Sequence, residues 1–288
     1  MEPKKCRTFA LETWKSTFEH HMKIKEILDA LEEFAPLALQ DGYDNAGLQI
    51  GLAEDAEATG VLLSLDVTED VVNEAVLRGC NLIVSHHPLM FHPVKSFAGK
   101  THVERAILKA IKNDIAVYAA HTNLDVAYGG VNFKMAEKLG LQKVEFLAGR
   151  ENYTSGDKTF TAGEGVIANL PTSLSKKEFM EQVKEVFRLK SLRVNNASPK
   201  SIQRVALCGG NGASLIPQAI EKGADVFITG EIGYHRFFGY EKDILLLEIG
   251  HYESEQYTIE LLRDIITRVA PSTHVCKAET NINPIIYL

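Results

Sequence analysis

Short apolar runs separated by amphipathic segments recur along the whole chain. The runs predict buried strands, because strands covered on both faces are apolar without alternation. They lie at 61–65, 82–84, 115–120, 166–168, 205–207, 226–229 and 244–249. Between them, apolar residues repeat close to the helical period of about 3.6 residues. These predicted helices cover 24–34, 69–78, 102–113, 176–187, 215–222 and 254–269. The alternation of strands and helices predicts the α/β fold class.

The predicted elements divide the chain into two βα-layered halves. We expect the first half at 22–148, the second at 164–288, and a connection at 149–163. The leading segment, 1–21, mixes charged and aromatic residues and lacks a continuous apolar core. We expect it to be a flexible tail or a start assigned too early, because Met22 opens the first helical pattern.

Polar residues follow three of the predicted strands. His86 and His87 come directly after the second apolar run, and Asp125 comes shortly after the third. His251 and Glu255 follow the last run. In open α/β sheets, ligands bind at the carboxyl ends of the strands. We therefore expect the two halves to face a shared cleft that contains these five side chains.

The residue types at these strand ends are those that hold divalent metal ions. Two neutral imidazoles alone would leave the charge of a divalent ion uncompensated, so carboxylates are needed as well. His251 and Glu255 are four residues apart, a spacing that places both on one helix face. A single histidine after a strand is more often a hydrogen-bonded structural residue. The pair His86 and His87, joined by Asp125 and this His-x-x-x-Glu spacing, favours a metal site.

Other motifs leave two interpretations open. The loop Gly209-Gly210-Asn211-Gly212 lies between a strand and a helix, where backbone amides bind phosphate or glycines form a tight packing turn. By themselves, Asp44 fits the start of an Asx turn and Glu231 fits a carboxylate at a helix N-terminus. For His121 we expect a supporting role, and for Cys208 that of a small apolar filler.

Charge and cysteine content narrow the functional classes. The net charge of −7 gives no strong signal for nucleic-acid binding. The four cysteines are scattered without a C-x-x-C pair, so neither a disulfide framework nor a zinc knuckle is predicted. No apolar run approaches the roughly 18 residues of a membrane span, and no secretory signal is recognisable. We expect a cytoplasmic protein without a membrane partner.

Five motifs together resemble those of the NGG-interacting-factor-three-like family, many of whose members carry the label GTP cyclohydrolase 1 type 2 homolog. The resemblance extends from about Met22 to the end. The motifs are Tyr43-Asp44-Asn45-Ala46-Gly47-Leu48, Ser85-His86-His87-Pro88, His121-Thr122-Asn123-Leu124-Asp125, Thr229-Gly230-Glu231 and Gly250-His251-Tyr252-Glu253-Ser254-Glu255. By this resemblance, the ligands of a paired-metal centre map onto His86, His87, Asp125, His251 and Glu255. The resemblance also implies that Asp44 and Glu231 lie around the cavity, where they orient substrate or support the ligands. The family also implies ring-shaped homohexamers whose metal centres face an internal cavity.

The first functional hypothesis is a metal-dependent hydrolase. Two divalent ions per subunit, of zinc, iron or manganese, would act on a small substrate of nucleotide-like chemistry. Glu231 and Glu253 are the candidates for moving protons. The family label points to GTP cyclohydrolase 1 type 2-like chemistry, although no residue in the sequence identifies a reader of guanine.

The second hypothesis is a metal-binding scaffold or metal chaperone without catalytic activity. Its ions would stabilise the subunit and its ring would bind protein partners. The two hypotheses differ at Glu231 and Glu253. A scaffold would tolerate their loss, whereas an enzyme would lose turnover and keep its metal.

Overall fold

Two β-sheets carry the apolar runs of the chain. The computed structural model describes residues 22–52, 55–149, 153–155 and 158–288. The strands are β1 (Gly47–Ile50), β2 (Val61–Ser64), β3 (Leu82–Ser85), β4 (Ala116–Ala119), β5 (Gln142–Gly149), β6 (Tyr153–Ser155), β7 (Lys158–Phe160), β8 (Gly163–Leu174), β9 (Arg193–Val194), β10 (Ile202–Cys208), β11 (Val226–Thr229), β12 (Leu245–Glu248) and β13 (Val275–Lys277). The helices are α1 (Ile24–Phe34), α2 (Glu69–Leu77), α3 (His102–Lys112), α4 (Thr122–Val126), α5 (Val131–Lys138), α6 (Lys176–Phe187), α7 (Ile216–Glu221), α8 (His251–Glu255) and α9 (Thr258–Val269).

The first sheet has the strand order β1-β4-β3-β2-β13. Strands β2, β3 and β4 are parallel neighbours, and every residue in them is buried. Alternate residues face opposite layers. Leu63 packs in the core that holds residues of α1 and α9, and Leu62 in the core that holds residues of α2 and α3. Helices on both faces explain why these strands are continuously apolar.

The second sheet has the order β5-β8-β10-β11-β12-β9. Its central strands β10, β11 and β12 are parallel, while β8 runs antiparallel to β10 and to β5. Phe179 of α6 packs with Val205 on one face, and Ile216 of α7 packs with Phe227 on the other. Two helix-covered sheets therefore present two sets of parallel carboxyl ends. A separate two-stranded sheet pairs β6 with β7.

The structure confirms the predicted α/β fold class and contains an element at each predicted strand and helix. The predicted helix at 254–269 is wrong in its bounds, because a turn at Gln256 and Tyr257 separates α8 from α9. The strand predicted at 166–168 is part of the longer β8. The prediction missed several elements, namely β1, β5, β6, β7, β9, β13, α4 and α5.

The domain boundaries stay a prediction. Strand β5 belongs to the predicted first half along the chain and pairs with β8 in the second sheet. Strand β13 belongs to the predicted second half and pairs with β2 in the first sheet. The predicted tail at 1–21 lies outside the described residues. Within the described ranges, no helix has both the length and the apolar composition that a membrane crossing requires.

Candidate metal centre

A cavity of about 810 Å³ lies where the carboxyl ends of the two sheets meet. The ends of β2, β3 and β4 contribute Asp66, His87, His121 and Asp125 to its lining. The segments after β10 and β12 contribute Gly209, Gly210, His251 and Glu255. The strand ends of both sheets thus present imidazoles and carboxylates to one space.

Glu255 lies at the centre of the polar cluster. Its Oε2 atom is 3.0 Å from Nε2 of His87 and 3.2 Å from Nε2 of His251. Its Oε1 atom is 3.8 Å from Nε2 of His86. The side chain is only 5% exposed. A single buried carboxylate therefore contacts histidines from both sheets.

Asp125 approaches the cluster from the short helix α4, which follows β4. Its Oδ1 atom is 3.6 Å from Nε2 of His86, and its side chain is 28% exposed. Through His86 and Glu255, the structure connects all five residues that the sequence singled out. Their role as ligands stays a prediction.

Each imidazole of the cluster is held by its other ring nitrogen. Nδ1 of His86 is 2.7 Å from the carbonyl oxygen of Ala120, which can only accept a hydrogen bond. That contact places the proton of neutral His86 on Nδ1 and leaves a lone pair on Nε2. Carboxylates hold the other rings, with distances of 2.9 Å for His87 to Asp66, 2.8 Å for His121 to Asp44, and 2.8 Å for His251 to Glu231.

Nε2 of His86 provides a direct test of whether a metal ion fits the site. The side chain is fully buried. Among the described residues, this nitrogen has no hydrogen-bond partner. Buried polar atoms are almost always satisfied in native proteins. A metal ion bound to the Nε2 lone pair would satisfy this atom, so the residues present fit such an ion.

Two overlapping groups of side chains have donor atoms close enough to share an ion. One donor atom from each of His86, His87 and His121 lies within 4.8 Å of the others. The same limit holds for His87, His251 and Glu255. His87 belongs to both groups. Each group is a candidate for holding a metal ion.

A supporting role was expected for His121, and the structure places its ring at the cavity wall, next to the rings of His86 and His87. Its ring centroid is 5.3 Å from that of His86 and 5.5 Å from that of His87. A signal for this was present in the sequence, because His121 follows β4 just as His87 follows β3. The aligned strand ends, Ser85 beside Ala119, bring the two loops together. Asp66 was missed altogether, since a lone carboxylate in a loop carries no distinctive pattern.

The pKa values of Glu255, His87 and His251 are shifted in the directions that place positive charge next to the carboxylate. Burial by itself would raise the pKa of Glu255, but the hydrogen bond from His251 and the charge of the nearby His86 lower it well below its usual range. Burial would also lower the pKa of His87, but contacts with Asp66 and Glu255 raise it to about 10. The hydrogen bond to Glu255 likewise raises the pKa of His251 to about 9. Protons or a metal ion can supply this charge, and they compete for the same nitrogens.

The glycine loop after β10 serves packing. The amides of Gly209, Gly210 and Gly212 already donate to the side chains of Asn132, Ser254 and Thr229. A Cβ atom on Gly210 would lie 2.5 Å from Oε1 of Glu255. The glycines therefore let the loop approach Glu255, which supports the packing-turn interpretation over a phosphate site. Burial raises the pKa of the Cys208 thiol beside the cavity, which makes it a poor nucleophile.

Glu231 and Glu253 lie next to a second cavity of about 770 Å³ on the other side of His251. Glu231 is hydrogen-bonded to the ring of His251. Oε1 of Glu253 accepts a hydrogen bond of 3.0 Å from Nδ2 of Asn283, near the C-terminus. Both carboxylates therefore already have protein partners.

The carboxyl ends of two helix-covered β-sheets converge on anchored histidines and on the buried carboxylate of Glu255. The protein is therefore of the α/β class, with a candidate metal centre at the ends of its strands. The chain belongs to the Duf34/NIF3 (NGG1p interacting factor 3) family, whose model matches residues 22–284. The predicted family resemblance is thereby confirmed.

Relatives of known sequence or structure extend over almost the whole chain. A protein of Clostridium acetobutylicum named GTP cyclohydrolase 1 type 2 homolog is 32% identical over 268 residues, covering 91% of this chain and 98% of the relative. A Lactococcus lactis protein of the same name is 35% identical, with 91% and 98% covered. A crystal structure of a hypothetical protein from Staphylococcus aureus is 31% identical with a TM-score of 0.84, and the match covers 93% of this chain and 100% of that one.

Proposed function

We propose that this protein is a dinuclear metal-dependent hydrolase of a small molecule. The observation that supports this most strongly is the position of His87 in two overlapping groups of potential ligands beside one cavity. The overlap brings the two groups side by side, and the two carboxylate oxygens of Glu255, one 3.8 Å from His86 and the other 3.0 Å from His87, can bind neighbouring ions. The proposed ligands are His86, His87, Asp125, His251 and Glu255, to which the geometry adds His121.

The proposed chemistry follows from the donor set. Imidazoles with carboxylates suit zinc, iron or manganese. Paired divalent ions of this kind supply a metal-activated hydroxide and polarise the bond that is cleaved. The protein positions the donors through Ala120, Asp66, Asp44 and Glu231, which hold the far ring nitrogens. Glu231 and Glu253 remain the proposed carriers of protons; both line the second cavity, of about 770 Å³, and Glu231 is connected to the centre by its hydrogen bond to His251.

The cavity favours a substrate with a flat ring. Its volume of about 810 Å³ lies in the range of small-molecule sites, roughly 300–1,000 Å³. Tyr43 and Phe91 line it with ring centroids 6.3 Å apart, and both rings are exposed. Exposed aromatic rings at a cavity wall stack on heterocyclic bases. We therefore propose a nucleotide-like substrate, in keeping with the name GTP cyclohydrolase 1 type 2 homolog that the relatives carry.

Metal analysis and a substrate screen test this proposal. The protein would be purified without chelators, and bound metals counted in the wild type and in Glu255→Gln. We expect about two ions per subunit that the variant lacks. Nucleotides, phosphoesters and cyclic amides would then be screened with both proteins and with Glu231→Gln. Turnover in the wild type that is lost in Glu255→Gln supports the hydrolase.

Full metal occupancy without turnover of any of these compounds would contradict the hydrolase. Unchanged partner binding in Glu231→Gln would then favour the scaffold or metal chaperone, with protein partners in place of a substrate. We also propose a homohexamer in the cytoplasm. Light scattering tests the assembly, since a hexamer has six times the mass of one chain, and cell fractionation tests the location.

A further inference from the structure

A second group of potential metal ligands lies at the outer edge of the first sheet, away from the cleft. Cys80 directly precedes the segment that leads into β3, and Cys276 lies in β13. His274 immediately precedes β13. The two cysteines are 196 residues apart in sequence, yet their Sγ atoms are 3.9 Å apart. One donor atom from each of the three residues lies within 4.8 Å of the others.

The separation of the sulfur atoms distinguishes between two kinds of chemistry. A disulfide bond requires about 2.05 Å between sulfurs, so this pair would have to move by almost 2 Å. Two thiolates on one tetrahedral zinc ion, each with a bond of about 2.3 Å, are about 3.8 Å apart. The observed 3.9 Å matches the second case without movement.

The surroundings leave room for an ion among the three side chains. A Cβ atom at position 60 would lie 2.9 Å from Sγ of Cys80 and 3.5 Å from the ring of His274, and that position is glycine. Hydrogen bonds to Glu279 and to Cys276 raise the pKa of Arg78. The guanidinium of Arg78 therefore lies beside the sulfur of Cys276, while burial raises the pKa of the Cys80 thiol to about 12, so an ion has to displace the proton of that thiol.

Backbone pairing fixes the three residues relative to one another. Val61 of β2 donates a hydrogen bond of 2.8 Å to the carbonyl oxygen of His274. Ala278, just beyond β13, donates one of 2.8 Å to Leu63. Strand β2 pairs with β3 on its other side. A pairing register that is fixed on both sides of β2 preorganises the donors before any ion binds.

We propose that Cys80, His274 and Cys276 form a binding site for a thiophilic divalent ion of the zinc class. Two thiols and one imidazole supply three ligands, and the exposed side of His274 leaves a fourth position for water. Binding replaces the two thiol protons, which pass to solvent, and no oxidation takes place. The ion ties the edge strand β13 to the segment before β3. This site does not depend on the function proposed for the cleft.

Cobalt substitution tests the proposal, because thiolate ligands give Co²⁺ a ligand-to-metal charge-transfer absorption that imidazoles and carboxylates do not give. We expect this absorption in the wild type and its loss in Cys276→Ser and Cys80→Ser. Cys208→Ser is the matched control, since Cys208 lies beside the cleft. We expect this substitution to leave the absorption unchanged. The wild type should also bind about one more Co²⁺ per subunit than Cys276→Ser.

Three results would overturn the proposal. They are an absorption that persists unchanged in Cys276→Ser, an equal metal content in that variant and the wild type, and a Cys80–Cys276 disulfide in protein purified without reductant. If Cys80→Ser fails to fold because Cys80 is buried, Cys276→Ser and His274→Ala carry the test. Failure of the cleft proposal is distinguishable, since the ions of the cleft are those missing from Glu255→Gln.

Discussion

The two sheets contribute to the same cleft in different ways. The first sheet provides His86, His87 and His121 directly after adjacent parallel strands, so the pairing register of those strands fixes their loops. The second sheet provides His251 and Glu255, both on the five-residue helix α8 that follows β12. One side thus positions nitrogen donors through strands, and the other positions the central carboxylate through a short helix.

The two sides also differ in how strongly they hold their histidines. His87 is 21% exposed, whereas His251 is 40% exposed. Asp44 holds the ring of His121 in the first sheet. Burial by itself would raise the pKa of Asp44, but hydrogen bonds from His121 and Thr122 lower it to about 2. The first sheet therefore supplies imidazoles that are held firmly by hydrogen bonds. The second sheet supplies the carboxylate of Glu255, which these imidazoles surround. This difference teaches that preorganisation and charge can come from separate layers, and five substitutions test it.

The largest effect is expected from Glu255→Gln. The substitution keeps the size of the side chain but removes the negative charge that lies 3.0 Å from His87 and 3.2 Å from His251. Even outer-shell changes lower metal affinity by roughly 10- to 100-fold, so loss of this charge should lower it by at least as much. Metal titration of the chelator-treated protein measures the affinity. Full affinity in the variant would remove Glu255 from the proposed ligands.

The matched variants Asp66→Asn and Glu231→Gln compare the carboxylate that holds His87 with the carboxylate that holds His251. Each variant keeps an oxygen that accepts a hydrogen bond from Nδ1 but removes the charge behind the imidazole. We expect a loss of metal affinity of roughly 10- to 100-fold for Asp66→Asn and a smaller loss for Glu231→Gln. The reason is that His87 belongs to both ligand groups and is less exposed than His251.

The same metal titration decides this comparison. Equal losses in the two variants would mean that the sheets brace their histidines equally well. A larger loss in Glu231→Gln would mean that the second sheet holds its histidine more strongly than the first sheet does. Circular dichroism of both variants controls for folding, since the side chains of Asp66 and Glu231 are 45% and 53% exposed.

A smaller effect, of about tenfold, is expected from Gly210→Ala, which acts on Glu255 from outside the ligand set. The new Cβ atom would lie 2.5 Å from Oε1 of Glu255. Gly223→Ala is the matched control, because Gly223 has φ of +69° and Gly210 has φ of +59°, and a Cβ atom at Gly223 meets nothing within 4 Å. Both variants carry similar backbone strain, so metal affinity should fall only in Gly210→Ala. A similar fall in both would assign the effect to strain.

The contrast between the sheets also explains what the sequence could predict. The strands β3, β4 and β12 are continuously apolar, and each leads directly into a polar cluster, so periodicity identified both the strands and the candidate residues. The edge strand β13 has three residues, none of them fully buried, and gives no such pattern. Asp44 and Glu231, the partners of His121 and His251, were indicated by the family resemblance, but the partner of His87 was hidden. Asp66 reaches His87 across 21 residues of sequence, a contact that follows from strand pairing and not from local spacing.

The smallest effect on metal is expected from Glu253→Gln, although Glu253 lies on α8 between His251 and Glu255. Residues two apart on a helix point in different directions. Oε1 of Glu253 accepts a hydrogen bond from Asn283, and a glutamine can accept the same bond. Metal affinity should therefore match that of the wild type, while any turnover that uses Glu253 to move a proton should fall. A clear loss of metal would instead show that α8 as a whole holds the ions, and the division between a bracing sheet and a charge-supplying sheet would no longer describe the centre.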